Sequence, residues 1–433
     1  MRIESIAAGG DGVGRIDGLA CFVPRTAPGD LVQVAFTSQA RFARGRVLQV
    51  LEPSPDRVAA RCRHFERDQC GGCQLQHLSD EAQRAVRSQV VQDALQRVGH
   101  RTVERPTVTQ ASAWGYRGRL TLTAQRHGGR VTAGLHRGDR PGTLFAPDEC
   151  PIADARLVTA WQAVRAHGME IPTAVADAPL RLSFRLVDAA MDAAMDAAMD
   201  AAMDAAIDDA ITVGLVVQGG YAFSRGETWA ESLLAAVPAL SAVWWVPEGG
   251  DGRCLAGRAD RSVLSFTQVN AGAAALLRAH VLELVRAQQP ASVVDAYAGR
   301  GELSIALAAD GVRVAAVELD AAATTVASAA LEGVPHARVL TGLVEAMLPS
   351  VLPADVVVLN PPRRGVDALV TTALADAADQ GVRAIVYVSC DPATLARDLT
   401  RLPRWRIAAL HCFDLFPQTA HVETVCLLLP ERA

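Results

Sequence analysis

The last third of the chain has a rhythm that few folds can accept. From about residue 262, the apolar runs SVVDAY, RVAAVEL, DVVVLN and AIVYVS alternate with Ala-rich stretches of helical character. That alternation is the signature of a parallel sheet covered by helices, so an α/β fold is expected here. The first run leads into AGRGELSIALA, where a glycine turn opens a helix and lets a ligand approach the backbone closely. A nicotinamide dinucleotide would want G-x-G-x-x-G, and Ser304 stands where the third glycine would be. The next run ends in Glu318, 23 residues after Asp295. A carboxylate there can hold two ribose hydroxyls, which points to a nucleoside cofactor.

Two later runs narrow the chemistry. One ends at Asn360 and two prolines, the other at Cys390. In a doubly wound sheet, ligands lie outside the carboxyl ends of the strands, where the runs ending at Asp295, Asn360 and Cys390 would be neighbours. An arbitrary cysteine is most often a small buried hydrophobe. Cys390 instead precedes Asp-Pro and a helix start at a strand end. Glu423 sits within the apolar run VETVCLLL, where an unpaired carboxylate is costly and its pKa tends to rise. A thiol, a proton acceptor and a nucleoside pocket suit methylation of uracil at C5. A thiolate adding at C6 makes an enolate whose C5 attacks an activated methyl, and a base then removes the C5 proton.

The first ~55 residues differ, with short β-prone runs between Gly/Pro turns that suggest a small antiparallel barrel. A helix is expected from Ser79 to about Val98 and strands in RLTLTAQ and RVTAGLH. The stretch CRHFERDQCGGC places Cys62, Cys70 and Cys73 within twelve residues. Three thiols cannot all pair as disulfides, and three ligands rarely satisfy a metal, so a fourth partner is wanted. Nine cysteines in 433 residues are too sparse for a disulfide scaffold, and the start MRIESIAAGG shows no secretory signal. No apolar run is long enough to span a bilayer, and reducing cytoplasm is the expected compartment.

The formal net charge of −5 is unevenly spread. Residues 1–150 hold 21 Arg against 15 Asp and Glu, whereas residues 188–209, an MDAA repeat, carry seven Asp and no base. The repeat is read as a solvated acidic insertion. All 42 basic residues are Arg, as a coding bias would give.

FTQVN at 266–270, DAYAGRGELS at 295–304, VELD at 317–320, NPPRRG at 360–365, SCDPATLARDL at 389–399 and HVET at 421–424 occur in that order. With these motifs the chain resembles the S-adenosylmethionine-dependent RNA 5-methyluridine methyltransferases. The resemblance implies that Cys390 attacks C6 and that Glu423 takes the C5 proton. It places Gln268, Tyr297, Glu318 and Asn360 around S-adenosylmethionine and makes Arg363 a candidate for contact with uracil or phosphate. GDGVGRIDG, FVPRTAPGD and SPDRV are similar to the TRAM domain, an OB-like RNA-binding barrel, with Arg41, Arg44 and Arg46 suited to phosphates. Members with this barrel bind a [4Fe–4S] cluster through four cysteines, here Cys62, Cys70, Cys73 and the Cys150 of DECPIAD, and structural zinc is the alternative. The chain departs from the family in having seven residues between Cys62 and Cys70 rather than five, and Asn360 where Asp is common.

The expected architecture is therefore α/β in three parts. A TRAM barrel spans 1–55, an α+β middle domain with the cysteines and the acidic insert spans 56–261, and a class I, Rossmann-like methyltransferase domain spans 262–433. The expected partner is structured RNA, ribosomal rather than tRNA, with no DNA, no membrane and a monomeric enzyme. The rivals are an N-methyltransferase of the N-P-P type, which needs no thiol, and an RNA-binding protein without catalysis.

Overall fold

The computed structural model describes residues 1–127, 130–175, 178, 180–188, 211–259, 261–264 and 268–431. The acidic repeat lies outside them, apart from Asp188. Strands β1 (Ile3–Ile6), β2 (Gly12–Ile16), β3 (Leu19–Val23), β4 (Leu31–Ser38) and β5 (Ala43–Glu52) form one sheet in the order β1-β2-β3-β5-β4. A bridge between Arg2 and Leu31 joins its two edges, which closes the barrel around Ile3, Cys21, Val23 and Val32. The barrel is not wholly antiparallel, because β3 and β5 run parallel.

Helix α1 (Asp80–Arg97) begins where expected, with the Ser79 hydroxyl accepting from the Ala82 amide at 3.2 Å. A seven-stranded sheet follows, built from β7 (Arg119–His127), β8 (Arg130–His136), β9 (Leu144–Phe145), β10 (Leu180–Asp188), β11 (Ile211–Gln218), β12 (Leu240–Val246) and β13 (Arg253–Gly257). Helices α2 (Ala155–His167) and α3 (Gly226–Ala236) bring Trp161 and Trp229 into the core that covers this sheet. Strands β10 and β11 pair antiparallel up to Asp188 and Ile211, so residues 189–210 join two neighbouring strands.

Helix α4 (Ala271–Ala287) opens the third unit, an eight-stranded sheet in the order β16-β15-β14-β17-β18-β20-β19-β6. Its strands are β14 (Ser292–Ala296), β15 (Arg313–Glu318), β16 (Ala337–Thr341), β17 (Val356–Leu359), β18 (Ala384–Ser389), β19 (Trp405–Asp414) and β20 (Glu423–Pro430). Alternate residues feed opposite faces: Val294, Val357 and Leu359 enter one core, Val293, Val356 and Val358 the other. Burial on both faces explains the uninterrupted apolar runs. The edge strand β6 (Thr107–Gln110) comes from the stretch expected to form the middle domain, and it pairs parallel with β19.

Candidate active site

Strand order locates the site. The order reverses between β14 and β17, with β18 next to β17, so the ends of these three strands share one crevice.

On one side of it lies a backbone cradle. Tyr297 follows β14 with φ 62°, and Gly299 and Gly301 follow at φ 57° and 77°. A Cβ on Gly301 would lie 2.9 Å from that of Ala327, so α5 (Glu302–Ala309) and α6 (Ala321–Ala330) meet here with no room for a side chain. Asp295 does not face a ligand. It is 3% exposed and accepts from the Ser304 hydroxyl at 2.6 Å, and burial pushes its carboxyl up to about 6. Ser304, in the place of the third glycine, therefore fastens α5 to the strand. Glu318 ends β15 and accepts from the amides of Gly299 (2.9 Å), Leu319 and Asp320 (both 2.8 Å). Those three bonds fix the carboxylate and leave about one of its four acceptor sites unused, on Oε2. Asn360 is exposed at the end of β17, its amide held by the Ala296 carbonyl at 3.2 Å. Gln268 is exposed on the turn into α4. Phe266 and Thr267 of the same motif lie outside the described residues.

The reactive pair lies across the neighbouring strands. Ser389 of β18 faces Thr424 of β20, so Cys390 and Glu423 occupy the next rung outward. Burial pushes the Cys390 thiol up, the Glu423 charge adds to the rise, and the Arg363 guanidinium opposes it. Burial raises the Glu423 carboxyl to about 7, again against Arg363. A carboxyl that titrates near neutrality is suited to taking a proton.

Arg363 is aimed by its loop. The loop's backbone is tied to helix α9 (Pro392–Thr400), which begins just after Cys390. The Arg363 carbonyl accepts from the Thr394 hydroxyl at 3.1 Å and the Arg364 carbonyl from Arg397 at 2.8 Å. The fully buried Asp398 accepts from the Val366 amide at 3.1 Å and the Tyr387 hydroxyl at 2.8 Å. Gly365 has φ 78°, and a Cβ there would collide with Asp398 and Thr394. Asp391 caps α9 by accepting from the Thr394 amide at 2.8 Å, and Pro392 starts the helix.

Sequence reasoning missed Asp398, Tyr387 and Ser304 as supports. Asp398 had a readable signal, an acid among the core positions Leu395, Ala396 and Leu399 of a short helix.

A second group of thiols is brought together elsewhere. Cys62, Cys70, Cys73 and Cys150 line one cavity with Phe65, Arg117 and Ile152. All nine cysteines are free thiols. Burial pushes Cys62 up to about 11 and Cys73 up to about 12, and the charge of Cys150 raises Cys62, Cys70 and Cys73 further. Among the described residues, no group of three or more His, Cys, Asp or Glu is placed to hold a metal ion.

Relatives of this chain are consistent over its full length. An RNA methyltransferase of Thermosynechococcus vestitus is 31% identical over 99% of this chain and 97% of its own. A 23S rRNA (uracil(1939)-C(5))-methyltransferase of Thiobacillus denitrificans is 30% identical over 99% of this chain and 98% of its own. The chain belongs to the RNA 5-methyluridine methyltransferase family. The family model of tRNA (uracil-5-)-methyltransferases matches residues 332–431, a span holding the Asn360 loop, Cys390 and Glu423. The crystal structure of the Pyrococcus abyssi tRNA (uracil-54, C5)-methyltransferase, in complex with S-adenosyl-L-homocysteine, shares the fold. Its TM-score is 0.70, at 23% identity over 99% of this chain and 98% of that one. This enzyme of the RNA 5-methyluridine family thus has the mixed α/β fold with a Rossmann-like methyltransferase unit. Among the described residues, no helix is long and apolar enough to cross a membrane.

Proposed function

We propose that this methyltransferase methylates C5 of a uridine in structured RNA, 23S rRNA before tRNA, with Cys390 as nucleophile and Glu423 as base. The observation that carries the reading is the shared rung of thiol and carboxyl beside the cradle at Tyr297 and Glu318. The rRNA assignment follows the Thiobacillus denitrificans relative. S-adenosylmethionine would supply the activated methyl group. The residues present fit it: Glu318 is held at the strand end by three backbone amides with an acceptor site on Oε2 left for a ribose hydroxyl, and Gly299 and Gly301 leave the backbone open to close approach. Gln268, Tyr297 and Asn360 complete this proposed pocket.

The thiolate of Cys390 adds to C6 of uracil, and the C5=C6 pair moves onto the C4 carbonyl as an enolate. C5 would then bond to the methyl carbon as the carbon–sulfur bond breaks, its electron pair going to sulfur, which leaves as the neutral thioether of S-adenosylhomocysteine. Glu423 takes the C5 proton, the C5=C6 bond re-forms, and the thiolate leaves. Arg363 faces both anions and stabilises the charged forms of each. The target base must leave its stack to reach Cys390, so a flipped nucleotide is expected.

We infer further that Cys62, Cys70, Cys73 and Cys150 hold a [4Fe–4S] cluster. Four thiols lining one cavity match the number of thiolates that such a cluster takes, with structural zinc as the alternative. A structural cluster would lend rigidity, because methyl transfer needs no redox step. In the same reading residues 1–55 form the RNA-carrying barrel and 262–433 the catalytic unit, with the cysteine-bearing part between them.

The enzyme is tested with methyl-labelled S-adenosylmethionine and cellular RNA, digested afterwards to nucleosides. Label is expected in 5-methyluridine, and label in any other nucleoside rejects the reaction. RNA carrying 5-fluorouracil at the target should be trapped covalently through Cys390. Metal analysis of anaerobically purified protein should find about four irons per chain, and zinc alone would reject the cluster.

A further inference from the structure

Residues 415–422 join β19 to β20 and end where Glu423 begins its strand. This connection is held from outside its own sheet. Gln418 is 1% exposed with φ 72°, a conformation that a non-glycine residue keeps only when its surroundings impose it. Its carbonyl accepts from two successive amides, Gln74 at 3.1 Å and Leu75 at 3.0 Å. Its amide donates to Gln83 Oε1 at 3.1 Å, and Gln83 Nε2 donates to Gln418 Oε1 at 2.9 Å. Gln83 lies on α1, 335 residues away in sequence.

One turn along α1, Arg87 is 1% exposed. Its guanidinium donates to the carbonyls of Thr419 (2.7 Å), His421 (3.2 Å) and Phe416 (3.5 Å), and it faces Asp414 at 3.2 Å. The Tyr116 hydroxyl donates to the Pro417 carbonyl at 2.9 Å. Four consecutive residues, Phe416 to Thr419, thus have backbone groups gripped by chain that precedes the catalytic unit. Burying a guanidinium is costly, and a fold needing only volume there would be served by an apolar side chain. What the planar fork adds is a fixed path for several carbonyls at once.

We propose that Gln83 and Arg87 are positioning residues for proton abstraction, locking the connection that aims Glu423 at C5 of the target base. The proposal rests on the reading of Glu423 as the base. The amides that grip Gln418 follow directly on Cys73, so the same latch ties the thiol cavity to the catalytic rung.

The test uses the full chain with Arg87→Lys, which keeps a charge opposite Asp414 but loses the fork, and Gln83→Leu, which keeps bulk but loses both bonds to Gln418. On uridine RNA, kcat for 5-methyluridine should fall roughly 10- to 100-fold, with KM for RNA and for S-adenosylmethionine unchanged. The covalent protein–RNA species should accumulate during turnover. Trapping on 5-fluorouracil RNA, which has no C5 proton for a base to take, should keep its parent rate. Trapping that slows in step with product overturns the proposal, because the residues then serve the thiol or the fold at large. Unchanged kcat in a folded variant overturns it as well. Glu423→Gln is run alongside. A parent-like rate in that variant rejects the base assignment itself, whereas a slow Glu423→Gln beside fast latch variants rejects the latch alone.

Discussion

Two thiol sites divide the proposed chemistry of this protein between them. Cys390 follows the end of β18, beside a cationic loop and a carboxyl on the antiparallel neighbour β20. Cys62, Cys70, Cys73 and Cys150 face one another in an enclosed cavity. Burial pushes every one of these thiols up, so burial alone does not separate nucleophile from ligand. Company does. Arg363 favours the thiolate of Cys390, and Glu423 stands ready for the proton that a thiol adduct must shed. At Cys62, Cys70 and Cys73 the charge of a fellow thiol, Cys150, adds to the rise, while Arg25 opposes it at Cys70 and Arg117 at Cys73, and a metal that displaces the protons would relieve that cost.

Exchanging the two roles by mutation gives the sharpest break. Cys390→Ala should lower 5-methyluridine formation by on the order of 10⁴-fold or more, read from labelled nucleosides. Survival of activity would favour an amine-methylating enzyme. Glu423→Gln should cost roughly 10²- to 10⁴-fold and leave the covalent adduct to accumulate, visible as a slow-migrating band in denaturing gels.

The pH profile sharpens the same contrast. In the proposed mechanism attack needs Cys390 deprotonated and proton removal needs Glu423 deprotonated, and both are raised by burial. Activity should therefore rise with pH. Log kcat/KM is expected to climb steeply below the Glu423 value of about 7 and less steeply above it. Glu423→Gln should erase the break near 7, and a profile that falls with rising pH would contradict both roles.

A change at the enclosed site should act differently. Cys70→Ala is expected to abolish iron content and lower the melting temperature, while 5-fluorouracil RNA is still trapped through Cys390. Loss of trapping in a folded, iron-free variant would put the cavity in the chemistry. Smaller still, Ser304→Ala should cost about 1–3 kcal/mol in unfolding by denaturant, by removing the one side-chain donor to a buried carboxyl.

The candidate site was unevenly legible. Glu423 stands out because it interrupts an apolar run with a costly group, and Cys390 because it ends a strand before Asp-Pro and a helix start; both are local signals. The cradle was half legible. Asp295 and Glu318 could both be seen, but only packing shows that Asp295 is buried against Ser304 while Glu318 is held by the amides of Gly299, Leu319 and Asp320. Strand β6 was hidden for a different reason. Its four residues, TVTQ, pair with β19 some 300 positions later, and no local pattern encodes a partner that far away.

The sequence by itself determined the parallel part of the sheet and the family, and it offered the candidate thiol and carboxyl, because hydrophobic period and residue chemistry are written position by position. The tertiary structure alone decided which groups share a rung, which carboxylate is sealed away, and that a helix near residue 87 grips the loop before Glu423. Those outcomes follow from chain closure over hundreds of residues, where geometry rather than composition chooses each neighbour.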